Sequence, residues 1–142
     1  MAFQIAEGAE EAGLNAILKK VEQCTLDDLT NAEGIAVGSP TQYGNMAWQI
    51  KKFLDETILS FYSKGHSLKN KVCACFTSTG GYSDGKDCAR TLELAFGFAL
   101  KMKLVPSLIL ESKDVGEGSL GICYNFGRRI AKEMESPNLT KL

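Results

Sequence analysis

Apolar residues in this chain follow two rhythms. Gly34-Ile35-Ala36-Val37 and Lys71-Val72-Cys73-Ala74-Cys75-Phe76-Thr77 are short runs with no polar alternation, which predicts strands buried on both faces. Leu104-Val105-Pro106-Ser107-Leu108-Ile109-Leu110 predicts another strand, with Pro106 close enough to its start to be tolerated. Residues 15–21 predict a further strand, only partly apolar, whose Lys19 and Lys20 suit a sheet edge. Elsewhere the apolar positions recur every three or four residues. Phe3, Ile5, Ala6 and Ala9 predict an amphipathic helix over residues 1–12, closed by Gly13. Met46, Ile50, Phe53, Leu54, Thr57 and Ile58 mark a second helix, running from a cap at Asn45 to about Phe61. A third covers residues 87–103, with Cys88, Leu92, Ala95, Phe96 and Ala99 on one stripe and Leu94, Phe98 and Met102 on another. Deep burial and a subunit interface both account for so apolar a girth. Ser119 caps a last helix through Met134, with Leu120, Cys123, Phe126, Ile130 and Met134 inward and Ser136-Pro137-Asn138 as its end. Residues 26–29 suffice for one helical turn.

Strands alternating with amphipathic helices predict an α/β fold, with a four-stranded parallel sheet covered by helices on both faces. Neither a linker nor a repeat interrupts it, so residues 1–142 are expected to form a single domain. Such sheets bind ligands beyond the carboxyl ends of their strands, which directs attention to two loops. The first reads Gly38-Ser39-Pro40-Thr41-Gln42-Tyr43-Gly44-Asn45. Pro40 offers no N–H to a ladder and holds Ser39 extended, so the strand ends there. Tyr43 beside Gly44 presents an aromatic face next to backbone that can approach a ligand closely. The second reads Ser78-Thr79-Gly80-Gly81-Tyr82, a glycine-rich turn whose N–H groups can donate to ligand carbonyls. Trp48 lies about 200° round its helix from Met46. It is therefore off the core stripe, where it covers a loop or meets a partner.

Composition narrows the choice of partners. Apolar residues at 44% and charged residues at 23% are ordinary for a globular domain. A formal net charge of −1 with scattered basic residues gives no electrostatic case for nucleic acid. No apolar run approaches the roughly 20 residues that span a bilayer, and Met-Ala-Phe-Gln-Ile-Ala-Glu has neither block of a signal peptide. A cytoplasmic location is expected, without membrane association. The five cysteines (Cys24, Cys73, Cys75, Cys88 and Cys123) form no Cys-x-x-Cys pair, and with the single His66 they make a poor metal set. Cys73 and Cys75 share a strand face, as small core residues rather than a redox pair. His66 sits in a polar loop and reads as solvated.

The first loop, followed by Lys51-Lys52-Phe53-Leu54-Asp55, closely resembles the second flavin-contacting loop of flavodoxin-like proteins. Thr77-Ser78-Thr79-Gly80-Gly81 resembles their third flavin loop. The nearest relatives look like short flavodoxins and quinone reductases of the tryptophan-repressor-binding-protein type, and the similarity runs from about Phe3 to Met134. It implies a flavodoxin-like three-layer sandwich that binds FMN. Ser39, Pro40, Thr41, Gln42, Tyr43, Gly44 and Asn45 would contact the flavin on one side; Ser78, Thr79, Gly80, Gly81 and Tyr82 would supply backbone contacts to the ring edge. It also implies that Met1-Ala2-Phe3 lies already inside the family's first helix. The central first strand and the phosphate loop after it are then expected to be absent from this sequence, through loss or through a start inside the reading frame. FMN would be held weakly, with little preference over riboflavin. The sheet gap would be closed by rearrangement, by upstream residues or by another chain, a homo-oligomer among them.

The quinone-reductase relatives have a long excursion with a flavin-contacting histidine near the last strand; here the loop after Leu110 is short and no histidine follows His66. An electron carrier or small NAD(P)H-dependent reductase is therefore expected over a quinone oxidoreductase, working on a redox partner protein or small acceptor. The alternative is a truncated flavodoxin-fold module with weak or no flavin binding, acting in interaction or structure. Phe61 matches an aromatic near the substrate site of the quinone reductases, but a helix-end core role is preferred.

Overall fold

The structure is a computed structural model that describes residues 1–136. Its centre is β2 (Val72–Thr79), which pairs in parallel with β1 (Gly34–Pro40) on one side and β3 (Lys103–Glu111) on the other. All three strands run the same way, so their carboxyl ends, Pro40, Thr79 and Glu111, meet at one edge of the sheet. Only β2 is buried along nearly its whole length, because it alone has both backbone edges paired and both faces covered.

Helices cover both faces. On one lie α2 (Leu26–Asn31), α3 (residues 48–63) and α4 (residues 82–98). In α3 the segments Trp48–Phe53 and Leu59–Ser63 flank a π-helical Leu54–Ile58, and in α4 Tyr82–Leu92 continues into a π-helical Glu93–Phe98. Their core contains Leu29, Ile50, Phe53, Ile58, Leu92 and Phe96 packed with Cys73 and Cys75 of β2. On the other face lie α1 (Ala2–Glu11) and α5 (Leu120–Glu135), with Ile5, Cys123, Phe126 and Ile130 against Val72, Ala74, Phe76 and Val105. This is the predicted three-layer α/β sandwich. Cys73 and Cys75 are fully buried with sulfurs 3.9 Å apart, small core residues as expected.

α1 ends as predicted. Gly13 adopts a φ of 96°, Gly13 N donates to Glu10 O and Leu14 N to Ala9 O, the left-handed cap that glycine favours. α1 and α5 then touch backbone to backbone. A Cβ added to Gly8 would lie 2.0 Å from Tyr124 O, and one added to Gly127 would lie 2.0 Å from Ile5 O.

Several expectations are corrected. Residues 15–20 form no strand, and Val21–Gln23 is a 3₁₀ turn. A strand needs a ladder partner, and these residues face none among those described. Their exposed Ile17 and Leu18 leave little burial to hold a strand. The sheet of the described residues therefore has three strands, not four. β1 is half-buried rather than covered on both faces, because among the described residues nothing pairs with its outer edge. Asn45 does not cap α3, which starts at Trp48. Instead Ser39 Oγ accepts from Ala47 N at 2.8 Å, while Asn45 Oδ1 accepts from Met46 N. α4 starts at Tyr82, five residues before the predicted 87. Gly85 looked like a loop glycine but is a packing one: a Cβ there would meet Thr79 Cγ2 at 2.7 Å and Ile109 Cγ2 at 2.8 Å.

The two π-helical segments change which residues face outward. In α3 the buried positions step from Phe53 to Ile58, and Leu59 and Tyr62 are left exposed. α4 ends at Phe98 rather than at the predicted 103; Leu92 and Phe96 are buried within it, and Leu100 and Met102 are buried in the segment that follows. Leu94 and Phe98 lie about half exposed, with the Arg90 guanidinium 4.9 Å from the Phe98 ring. Ser119 precedes α5 without capping it, since its hydroxyl is engaged with Gly116. Pro137 and Asn138, named as that helix's end, lie outside the described residues.

Two outcomes follow. Gly127→Ala should destabilise by about 1–3 kcal/mol through overpacking of the α1–α5 contact. Gly121→Ala, on the same helix but with open space around it, should be neutral or stabilising by up to about 1 kcal/mol; urea denaturation measures both. Asp28 accepts from Thr25 N and from Lys19 Nζ at 2.7 Å, tying residue 19 to α2. The Lys19 hydrogen bond, aided by Thr25, holds the Asp28 carboxyl down at about 2 from an ordinary 3.8. Its stabilisation is thus present above about pH 4 and lost as pH falls through 2. Wild type should exceed Asp28→Asn in stability at neutral pH, and the difference should vanish in acid.

Candidate functional site

The carboxyl edge of the sheet is built by hydroxyls at the strand ends. Thr41 N donates to Ser78 O at 2.8 Å, which extends the β1–β2 ladder one step beyond Pro40. Thr41 Oγ1 lies 2.8 Å from Thr77 Oγ1. Ser39 is buried, donating to Pro40 O while it accepts from Ala47 N, so it secures the entry to α3. Thr79 is buried as well: its hydroxyl donates to Gly81 O and accepts from Gly81 N. Ser112 Oγ donates to Thr79 O at 3.0 Å, joining the loop after β3 to the loop after β2.

From this anchored base the first loop turns sharply. Gln42 and Asn45 exchange backbone hydrogen bonds of 2.9 Å in both directions. Between them Tyr43 and Gly44 have φ values of 51° and 72°, the pattern of a type I′ turn. The turn projects the Tyr43 side chain fully into solvent. A tyrosine rarely adopts that backbone conformation, so the turn holds an aromatic face outward at a conformational cost of about 1 kcal/mol. Asp87 of α4 sits under the turn, its Cβ 3.6 Å from the position a Gly44 Cβ would take.

The second loop is open. Nothing lies within 4 Å of a Cβ built on Gly80 or Gly81, so a flat ring edge can reach that backbone. α4 begins immediately afterwards at Tyr82, half exposed, with Lys86 Nζ 5.0 Å from its ring centre. Beyond β3, Lys113 hydrogen-bonds Glu111 at 3.0 Å, which raises the ammonium pKa.

The predicted site residues therefore divide by role. Thr41, Gln42, Tyr43, Gly44 and Asn45 gather with Ser78, Gly80, Gly81 and Tyr82 at the ends of adjacent strands, about 5 Å apart. Pro40 is exposed at the end of β1. The side chains of Ser39 and Thr79 turn inward and shape the loops. Sequence reading placed Thr77 in the second loop's motif without foreseeing its contact with Thr41, and missed Asp87 and Ser112. His66 and Phe61 stack with ring centres 5.2 Å apart. Phe61 lies in the last turns of α3 and His66 in the loop between α3 and β2, at the opposite edge of the sheet. Among the described residues no group of His, Cys, Asp and Glu is arranged to hold a metal, and no helix is long and apolar enough to cross a membrane.

Comparison with known proteins agrees with this fold. Residues 7–115 match the family described as NADPH-dependent FMN reductase. A flavodoxin of Aquifex aeolicus is 30% identical over 146 residues, covering 93% of this chain and 77% of the relative. An NAD(P)H dehydrogenase (quinone) of Rhizobium meliloti is 33% identical over 107 residues; the match covers 61% of this chain and 50% of that protein's length. A solved flavodoxin from the domain Archaea has a TM-score of 0.76 at 26% identity, covering 94% of this chain and 87% of that one.

The turn makes a direct prediction. Gly44→Ala should lower stability by about 1–2 kcal/mol, because the cost of a left-handed φ is conformational. Gly80→Ala, with open space and no such φ, should cost less than about 0.5 kcal/mol. Equal losses in chemical denaturation would contradict the turn.

Proposed function

Because the chain belongs to the NADPH-dependent FMN reductase family, we propose that its two anchored loops hold the ring of FMN, in a carrier or small reductase passing electrons to a partner. FMN-dependent electron transfer is the activity of this flavodoxin-like protein; the ring residues and the acceptor are the finer reading. When bound, the cofactor accepts and releases electrons. The observation that carries the reading is the pairing of a rigid turn presenting Tyr43 with an open Gly80-Gly81 backbone on the neighbouring strand.

Each residue has a task under this reading. Tyr43 covers one ring face, since aromatic stacking needs a flat, exposed partner. Thr41 and Gln42 offer polar contacts at the ring margin. The backbone of Ser78, Gly80 and Gly81 donates to the ring's carbonyl edge, where fixed N–H groups favour the charge that builds on reduction. Asp87 beneath the turn adds a nearby negative charge. Residues 1–142 act as one flavodoxin-like domain, and the free state of all five thiols suits a reducing compartment, the cytoplasm.

A quinone oxidoreductase is the second reading, favoured by the Rhizobium meliloti relative. Against it stands the position of the single histidine, stacked on Phe61 at the far edge, and the short span from Ser112 to Ser119 after β3. A non-catalytic interaction module is the third, supported by the exposed Leu94 and Phe98.

Flavin titration separates them. Adding FMN should quench flavin fluorescence and give the visible absorption of a bound flavin. Tyr43→Ala should weaken FMN and riboflavin by the same factor, roughly tenfold, as expected for losing about 1–1.5 kcal/mol of ring stacking. No quenching by either flavin would leave the interaction module standing. Quinone-dependent NAD(P)H oxidation by the flavin-loaded protein would favour the second reading.

A further inference from the structure

Thr77 has no place in the ring contacts just described, yet its hydroxyl sits where β1, β2 and α4 converge. The side chain is 1% exposed. Its Oγ1 lies 2.8 Å from Thr41 Oγ1, 3.3 Å from Ser78 O and 3.6 Å from Cys88 Sγ. Cys88 is fully buried and lies 4.0 Å from Pro40 O. A buried hydroxyl without partners would cost about 1–3 kcal/mol, and valine would fill the same volume in this apolar strand. The hydroxyl therefore has a use at this position.

We propose that Thr77 is a positioning residue for the flavin site, acting through Thr41. This rests on the reading that residues 41–45 contact the ring. A threonine hydroxyl has one proton and two lone pairs. Thr77 can give its proton to Ser78 O or Cys88 Sγ and accept from Thr41, or donate to Thr41 itself. In either arrangement the Thr41 side chain is held in one rotamer, and Thr41 N is already committed to Ser78 O. Both polar groups at the root of the turn are then tied to β2, the most buried strand. The turn presenting Tyr43 is set before a ligand arrives, so less ordering is needed on binding. Without Thr77 the turn hangs from β2 by one backbone hydrogen bond.

The test uses the full chain with Thr77→Val, Thr77→Ser, Thr41→Val and the Thr41→Val/Thr77→Val double variant. Affinities for FMN and riboflavin are measured by fluorescence quenching, and amide hydrogen exchange of residues 41–45 is measured without flavin. T77V should weaken both flavins equally, by about fivefold to tenfold, the worth of one hydrogen bond. T77S, which keeps the hydroxyl, should bind like wild type. The double variant should bind no more weakly than T41V, because the Thr77 hydroxyl works through Thr41. Exchange at residues 41–45 should quicken in T77V and not in T77S. T77V binding within twofold of wild type, or a double variant whose loss is the product of the two single losses, overturns the assignment. If wild type binds neither flavin, the proposed function falls by itself, and unchanged exchange in T77V then overturns the clamp independently.

Discussion

The parallel pairing of β2 with strands on both sides is the constraint from which the rest of this protein follows. Every backbone donor and acceptor of a buried strand needs a partner, and β2 meets that need on both edges. Its side chains can then be apolar nearly throughout, with helices free to cover both faces. The polarity changes only at the carboxyl end, where Thr77, Ser78 and Thr79 replace the cysteine and aromatic positions. Thr77 Oγ1 meets Thr41 and Thr79 Oγ1 meets Gly81, so these hydroxyls hold loops instead of filling core. A rigid interior thus hands its geometry directly to the site edge, and the loops inherit positions they could not hold alone.

The two helical layers serve this strand differently. α1 and α5 meet through glycines, so their backbones come close enough for weak Cα–H···O contacts as well as van der Waals packing. Close approach there places Ile5 and Phe126 over Val72 and Phe76. A Cβ on Gly38 would lie 2.1 Å from the Phe76 ring, so that ring fills the space a side chain on Gly38 would take. α3 and α4 pack through bulky side chains, and both accommodate an extra residue in a π-helical segment. Such segments shift the facing of everything that follows. They explain how apolar side chains on both helices come to lie half exposed while the core beneath them stays complete.

Electrostatics contributes little to the fold and is local where it appears. The most exposed ion pairs, Lys51–Asp55, Lys52–Glu56 and Arg128–Glu11, lie where such pairs add little stability. At the site the charges are few: Asp87 under the turn, Lys86 over Tyr82, and Glu111 paired with Lys113. The exposed groups of the two loops are mainly hydroxyls, amides and aromatic faces, the kinds of group the proposed ring contacts require.

How much of this was legible in the chain depends on the range of the forces involved. The three paired strands, the four long helices and the Gly13 cap follow from local periodicity and turn chemistry, which are written in neighbouring residues. The two candidate loops were legible for the same reason, since Pro40, Gly44 and Gly80 punctuate the strand ends. What the chain did not disclose lies at longer range. Residues 15–20 have strand-like composition, but a strand exists only through a ladder partner, and the described sheet provides none. Gly85 reads as a loop residue until Thr79 and Ile109 are seen to crowd it. Asn45 is a good helix cap by composition, but Ser39, eight residues away, reaches Ala47 N first. Thr77 looked like the last residue of a strand; that its hydroxyl meets Thr41 emerges only when β1 and β2 lie side by side, because hydrogen bonds act over about 3 Å in space whatever the separation in sequence.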